Sequence, residues 1–374
     1  MEQYTQWVDN RHEYAREWKK RTGGKVVGCL CTYVPEEILY AANILPIRIF
    51  GGHESSSVVE PHILGMFCPF CRDTLAQGLE GKYDYLDGLV IAQSCLHLRQ
   101  TFWSWKKHVP IDFTYYLPMP HCTQAVGQNE YLRGEYKLFK EAVEKWTGNP
   151  ITDADLDRGI EIMDTNRRLN KEVYEFRKPR KPALTGLEAM EMVLSSQMVD
   201  KVEHNKVTQE WLKELPNRQL KRDPGTRLMI VGSEDDDREF IKMVEEKMSF
   251  PATFVVEDHC TGARYFWNET ILESDRLMAI AKRYMDRPPC PSKDWPKRTR
   301  FDYIFEMAKD WNVEAAILMQ QKFCDPHELD MHPLTKAFKE HDIPTYFLEF
   351  DVIVPAGQFK IRMEAFLETL VDFV

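Results

Sequence analysis

The sequence predicts an α/β protein built as two doubly wound parallel-sheet domains joined by a helical segment. Three observations carry that expectation. Short runs rich in Val, Ile and Leu alternate with helix-like stretches towards both ends of the chain, the pattern of parallel strands covered by helices. Residues 129–224 show no strand pattern and read as charged helices throughout. A chain of 374 residues also exceeds what one ordinary core holds, so two domains are expected. The divisions fall at 1–128, 129–224 and 225–374.

The first 22 residues read as one surface helix with Trp7, Tyr14 and Trp18 on a single face, stopped by Gly23-Gly24. Residues 25–31 read as a buried strand. Pro35-Glu-Glu then opens a short helix, with proline in the first turn where its missing N–H does no harm. Further strands are expected at 45–50, 86–92 and 111–118, with a helix through 74–79. Residues 136–146 and 156–177 read as long charged helices, and Arg222-Asp-Pro-Gly marks a boundary. Beyond it come strands at 227–232, 252–257, 316–319 and 344–349, and helices at 238–248 and 334–340. A closing helix runs from Phe359 to the C-terminus. No sequence repeat is visible, although both ends share strand–helix–strand logic.

Composition narrows the function. The chain is 43% hydrophobic and 29% charged, which fits a folded globular protein rather than a disordered one. A net charge of −10 argues against a nucleic-acid partner, which would select a basic stripe. Apolar runs such as Ala315-Ala-Ile-Leu-Met fall far short of the ~18 residues of a membrane span. The opening Met1-Glu-Gln-Tyr-Thr-Gln-Trp has no apolar signal-peptide run, so a cytoplasmic location is expected. Nine cysteines, an odd number, then read as thiols or metal ligands rather than as a disulfide framework.

Open parallel sheets place their crevices beyond the carboxyl ends of the strands. Cys95, Cys260 and Cys324 each follow a predicted strand, and Cys68 precedes a helix. In Cys68-Pro-Phe-Cys71-Arg72 a thiolate at a helix start would gain from the helix dipole and the arginine. The plainer alternative is a loop with one buried and one incidental cysteine. On spacing alone zinc is the first metal to consider, with Cys29 and Cys31 as a conceivable second pair, but that pair sits in an apolar strand and reads as core. In Ser94-Cys95-Leu-His97-Leu-Arg99, Cys95 taken alone is as readily a small buried residue, and His97 and Arg99 line a cleft or bond surface carboxylates. Cys324-Asp325-Pro-His327-Glu328 turns polar just after an apolar strand, as a site at a strand end would.

These segments stand in order with Tyr33-Val-Pro-Glu-Glu-Ile-Leu-Tyr-Ala-Ala, Asp258-His-Cys260-Thr-Gly-Ala-Arg264-Tyr-Phe and Gly357-Gln-Phe-Lys-Ile-Arg362-Met-Glu-Ala-Phe. Together they resemble the 2-hydroxyacyl-CoA dehydratase and benzoyl-CoA reductase family over essentially the whole chain. The resemblance implies two α/β domains and a [4Fe–4S] cluster held by three well-separated cysteines, whose matching positions are Cys68, Cys95 and Cys324. It leaves one iron open, with Cys71 as a bystander in preference to a fourth ligand. The stretches from Cys68 to Leu79 and from Asp84 to Gln100 look most like the smaller cluster-bearing subunit of ATP-dependent benzoyl-CoA reductase. That likeness implies an oxidoreductase subunit that helps convert benzoyl-CoA to a cyclohexadienyl-CoA. Its partners would be a homologous larger cluster-bearing subunit, two ATPase subunits and ferredoxin as donor.

The chain has no G-x-x-x-x-G-K-[ST] phosphate loop, in keeping with ATP bound on a partner. Gly232-Ser-Glu-Asp-Asp-Asp follows a strand but is acidic, and reads as a solvated turn and helix start. Arg264, close to Cys260, is expected either at a substrate or partner contact or in an exposed salt bridge. Arg167-Arg168 and the basic run from Arg177 read as a solvated face or, less simply, as CoA phosphate contacts. Trp103 and Trp105 read as core or subunit interface. Two further readings stay open: a subunit of a 2-hydroxyacyl-CoA dehydratase, and a non-catalytic scaffold stabilised by zinc.

Overall fold

Eight strands form two four-stranded, all-parallel sheets in a computed structural model that describes residues 1–371. The amino-terminal part runs α1 (Glu2–Asp9), α2 (Arg11–Thr22), β1 (Val26–Cys29), α3 (Glu36–Ala41), β2 (Leu45–Arg48), α4 (Pro69–Leu79), β3 (Gly88–Ala92), α5 (Leu96–His108) and β4 (Phe113–Leu117). Four helices follow without a strand: α6 (Gln128–Thr147), α7 (Asp153–Glu175), α8 (Gly186–Ser196) and α9 (Lys201–Glu214). The carboxyl-terminal part runs β5 (Thr226–Gly232), α10 (Arg238–Glu246), β6 (Ala252–Asp258), α11 (Ala263–Phe266), α12 (Arg276–Asp286), α13 (Thr299–Asp310), β7 (Ala315–Gln321), α14 (Asp325–Glu340), β8 (Thr345–Phe350) and α15 (Ala356–Val371).

The two sheets have the orders β2-β1-β3-β4 and β6-β5-β7-β8. The second strand of each half sits outside the first, and the third and fourth add on the other side. The halves therefore repeat one topology that no sequence repeat announces. The central strands β1, β3 and β7 are buried along their whole length, which is why they read as continuous apolar runs.

Each sheet nucleates its own core, and each core borrows a helix from the other end of the chain. Tyr4, Trp7 and Val8 of α1 pack into the core around β5–β8. Leu277, Ile280 and Tyr284 of α12 pack into the core around β1–β4. The opening segment therefore departs from the expected single surface helix. It breaks at Asn10 (φ −111°, ψ 30°), and the break lets α1 turn into the second core. No element is predicted over 263–310, where α11–α13 form, because their apolar positions are shared between two cores. The closing helix carries Phe359, Met363 and Leu367 on one buried stripe. Its expected last residues, 372–374, lie outside the described residues. Among the described residues, no helix is long and apolar enough to cross a membrane.

The helical segment is capped and bolted at defined points. Thr152 with Asp155 and Thr185 with Glu188 form capping boxes that start α7 and α8. α7 crosses α3 so closely that a Cβ on Gly159 would collide with the Glu37 carbonyl oxygen. At that crossing Arg167 pairs with buried Glu37 at 2.5 Å, and Lys201 of α9 pairs with Glu36 at 2.5 Å. Arg177 reaches the second half, pairing with Glu257 at 2.8 Å. Arg167 and Arg177 are thus neither a solvated face nor free for a phosphate. Their guanidiniums are buried and already matched by carboxylates, whereas Arg168, beside Glu269, and Arg180 and Lys181 of the basic run are exposed as a solvated face would be.

Gly159→Ala is expected to destabilise the protein by about 1–3 kcal/mol, despite alanine's better helix propensity, read as a lower urea midpoint. His204 supplies a second check. It is fully buried, its Nε2 lies 3.0 Å from the Met192 carbonyl, and its ring stacks on Trp7. Burial holds its pKa down at about 3, against an ordinary value of 6.5. The folded state keeps it neutral while the unfolded state takes a proton below 6.5, so its contribution is present above 6.5 and lost as pH falls. By pH 5 the loss is about 2 kcal/mol. His204→Gln should lose correspondingly less stability than the wild type between pH 7 and pH 5 in denaturant titrations.

Candidate functional site

Parallel topology sends every strand's carboxyl end to one edge of its sheet, and the cysteines collect there. Cys95 lies three residues beyond β3, and Cys324 lies three residues beyond β7. Cys68 is delivered by the long loop that follows β2. Each of the three is the N-cap of a helix: Cys68 of α4, Cys95 of α5 and Cys324 of α14. Cys95 Sγ accepts the Leu98 N–H at 3.4 Å. A helix start offers unpaired N–H groups and a partial positive charge, which favour thiolate over thiol. His97 fixes the geometry further, because its Nδ1 accepts the Cys68 N–H at 3.0 Å. The proton is then on Nε2, which faces Asp325 Oδ2 of the other half at 3.6 Å.

All three thiols line a single cavity of about 100 Å³ between the two halves. Cys68 is held well below the usual thiol range, mainly because Cys324 and then Cys71 donate S–H hydrogen bonds to its sulfur. Cys71 and Cys324 are pushed up in turn, first by that same interaction and then by burial. Burial pushes Cys95 up to about 12. Among the described residues, no three His, Cys, Asp or Glu side chains converge closely enough to chelate a single ion. Cys68, Cys95 and Cys324 surround a space instead of meeting at a point.

The donor set fits an iron–sulfur cluster, which takes soft thiolate ligands and gains from N–H donors around its sulfurs. Besides the three helix starts, the cavity receives the buried guanidiniums of Arg48 and Arg287, with Arg48 Nε and Nη1 and Arg287 Nε unpartnered. Cys68, Cys95 and Cys324 are the residues placed to hold such a group, with Cys71 beside Cys68.

Several lining residues escape sequence reasoning. Arg48 is the last residue of β2 and belongs to no motif. Cys29 and Cys31 both pack into the core around β1–β4, as expected, and Cys31, two residues beyond the end of β1, also lines the cavity. The acidic run after β5 is not a solvated turn. Glu234 and Asp235 are buried at the sheet edge, and Glu234 lines the cavity, with burial pushing its carboxyl well up. Only Asp237 does as expected, capping α10 by accepting the Phe240 N–H at 2.8 Å. Arg264 is 1% exposed, and its Nε lies 3.1 Å from Asp258 Oδ1. Asp258 also pairs with Arg300, which reaches Asp330 of α14 at 2.9 Å. That fork ties the end of β6, with Cys260, to the helix that Cys324 caps. Trp105 is core and Trp103 is exposed against Tyr116.

Comparison with known proteins adds the family. The family model for the 2-hydroxyglutaryl-CoA dehydratase D-component matches residues 31–370. The chain belongs to that family. Within it, the chain is 28% identical over 366 residues to the (R)-phenyllactyl-CoA dehydratase beta subunit of Clostridium sporogenes, covering 97% of this chain and 96% of the relative. It is 25% identical over 360 residues to a benzoyl-CoA reductase subunit of Thauera aromatica, covering 94% and 92%. It is also 25% identical over 363 residues to the (R)-2-hydroxyglutaryl-CoA dehydratase beta subunit of Acidaminococcus fermentans, covering 94% of each. The six segments that suggest the family have structural reasons in this D-component-family chain. Glu36 and Glu37 anchor the helical segment, Asp258 and Arg264 brace β6, and the cysteine segments start helices at the cavity.

Arg300→Met should cost about 1.5–3 kcal/mol in denaturant unfolding, because it removes one of the two cations on each of the buried carboxylates of Asp258 and Asp330, leaving them Arg264 and Arg298. Arg300→Lys should recover only part of that, since an ammonium cannot fork between Asp258 and Asp330.

Proposed function

We propose that this chain is the [4Fe–4S]-binding subunit of a heteromeric oxidoreductase acting on a CoA thioester, with Cys68, Cys95 and Cys324 as the cluster ligands. The observation that supports it is the convergence of three helix-capping thiols, drawn from both halves of the chain, on one cavity. A cluster bound there would supply single electrons. The chain's own part is to hold the thiolates at helix starts, to fix Cys68 through His97, and to shield the cavity with Phe70 and Leu98. Burial and N–H donors set a cluster's potential, so these residues tune it as well as hold it.

The reaction proposed first is reductive dearomatisation of benzoyl-CoA to cyclohexa-1,5-diene-1-carbonyl-CoA, in which the ring takes up two electrons and two protons. The likeness of the 68–100 stretch to the smaller cluster-bearing subunit of benzoyl-CoA reductase favours it, as does the full-length match to the Thauera aromatica protein. The electrons would come from ferredoxin through two ATP-hydrolysing subunits, with a homologous larger cluster-bearing subunit as direct partner. The absence of a phosphate loop from this sequence accords with ATP on those partners. The second reading, a subunit of a 2-hydroxyacyl-CoA dehydratase, is favoured by the 28% match to the phenyllactyl-CoA dehydratase beta subunit. There the electron is returned and the net reaction is loss of water.

Anaerobic co-purification with partners, followed by iron and sulfide analysis and two assays, separates these readings. ATP-dependent loss of benzoyl-CoA with consumption of reductant supports the first. Dehydration of a 2-hydroxyacyl-CoA with no net consumption of reductant supports the second. Zinc in place of iron would overturn both and return the chain to a scaffold. Cys68→Ser, Cys95→Ser and Cys324→Ser are each expected to lose the iron bound at this triad and its paramagnetic signal, whereas Cys29→Ser keeps them. Full retention of iron in any of the three removes that residue from the ligand set.

A further inference from the structure

The cavity carries more thiols than one three-ligand cluster uses. Opposite the helix-capping set, Cys31, Cys260 and Cys290 also line it. They come from different elements: Cys31 lies two residues beyond β1, Cys260 two beyond β6, and Cys290 in the loop after α12. The first two repeat, on the other strands, the strand-end placement of Cys95 and Cys324. The two sets are adjoining, because Cys31 Sγ hydrogen-bonds Ser94 Oγ at 3.3 Å, next to Cys95. Cys260 lies close enough to Cys31 and Cys290 to feel their charge.

A second, independent observation concerns charge. Two cations line this wall, Arg48 and Arg287, and a third, Lys293, lies 5.4 Å from the ring of the lining Tyr33; none has a carboxylate partner within ion-pairing distance. Arg48 is buried with two unpartnered N–H groups. Arg287 is 2% exposed and bonds only Thr32, through its carbonyl and its hydroxyl. Lys293 is fully buried, and its Nζ reaches only the carbonyls of Gln93 and Pro120, at 3.1 and 2.8 Å. The potentially anionic groups that act most on Arg48 are Cys260 and Cys31, and those on Lys293 are Cys31, Cys290 and Cys95. Buried charge of one sign requires a counter-charge. Thiolates bound to iron would be that counter-charge.

We infer that Cys31, Cys260 and Cys290 ligate a second iron–sulfur unit, so that the cavity holds more than one [4Fe–4S] cluster. The inference rests on the cavity being an iron–sulfur site, as proposed above, and adds a ligand set to it. Three thiols spread around a wall, without a single-ion focus, suit a polynuclear group better than one zinc ion.

The test is the iron and acid-labile sulfide content of this chain, purified anaerobically with its partner subunit, whose own iron is measured on the partner purified alone and subtracted, together with the Mössbauer and paramagnetic spectra of the complex. The expected wild-type value is about twice the iron of one [4Fe–4S] cluster. Cys31→Ser, Cys260→Ser and Cys290→Ser should each drop it by about half and leave the spectrum of the remaining cluster in place. The corresponding alanine variants, checked for folding by near-ultraviolet circular dichroism, guard against a loss caused by misfolding. The triple Cys68/Cys95/Cys324→Ser variant should lose the complementary half. A wild type with one cluster's worth of iron, all of it retained in the Cys31, Cys260 and Cys290 variants, overturns the second site while leaving the first intact. Iron retained in the Cys68/Cys95/Cys324 variant and lost in the other three would overturn the first assignment and uphold the second.

Discussion

The site depends on one constraint: the carboxyl edges of two separate parallel sheets must face each other at a fixed separation. Cys95 comes from one sheet, Cys324 from the other, and Cys68 from a loop that returns to the first. Neither half alone assembles the three. The separation is enforced by exchange of elements, since α1 completes the second core and α12 completes the first. Sliding one half against the other would therefore expose apolar surface in both cores at once. The buried pairs Arg167–Glu37, Lys201–Glu36 and Arg177–Glu257 add directional restraints through the helical segment. Buried ion pairs are poor net stabilisers but are costly to break, which suits them to fixing a register.

The same logic explains why charge is distributed as it is. The deeply buried carboxylates Glu36 and Glu37 pair with cations away from the cavity, and Asp258 holds Arg264, which lines it; all three serve position rather than chemistry. At the cavity the balance reverses. Helix starts and guanidiniums bring positive potential to the thiols, so the groups best stabilised there are anionic sulfur ligands. His97 joins the two halves in this respect, with one ring nitrogen on the Cys68 backbone and the other facing Asp325.

Much of the fold is legible in the sequence because buried parallel strands stand out as apolar runs, and all eight strands fall within a few residues of their expected places. The strand-end rule likewise brings Cys95, Cys260 and Cys324 to a common edge without any knowledge of contacts. What escapes the sequence shares a cause. Tyr4 and Trp7 look like part of a surface helix when read locally, and the helix carrying Ile280 and Tyr284 escapes notice altogether, because the core each enters lies elsewhere in the sequence. The acidic run from Glu234 looks solvated because charge normally marks the surface, and its burial follows from the facing sheet edge. Arg48 is invisible for a similar reason. A cation ending an edge strand is unremarkable in sequence, and only the closed cavity leaves its N–H groups unpartnered.

Charge neutrality then limits what the cavity can contain. A [4Fe–4S] core in its 2+ state with three thiolates carries a net charge of about −1. Arg48 and Arg287 face the same space, and Lys293 lies beside it on the Gln93 and Pro120 carbonyls, with no carboxylate paired to any of them. Burial and then the neighbouring Asp236 push the carboxyl of Glu234, which also lines the cavity, well up, and this weakens it as a counter-charge. One three-ligand cluster thus leaves positive charge uncompensated in a low-dielectric space, and that would raise the cluster's potential by favouring its reduced, more negative form. Added thiolates from Cys31, Cys260 and Cys290 would cancel that excess where it lies, beside Arg48 and Lys293. The surplus of cations is thus an argument about ligand number, reached from the protein's own charges and independent of any resemblance.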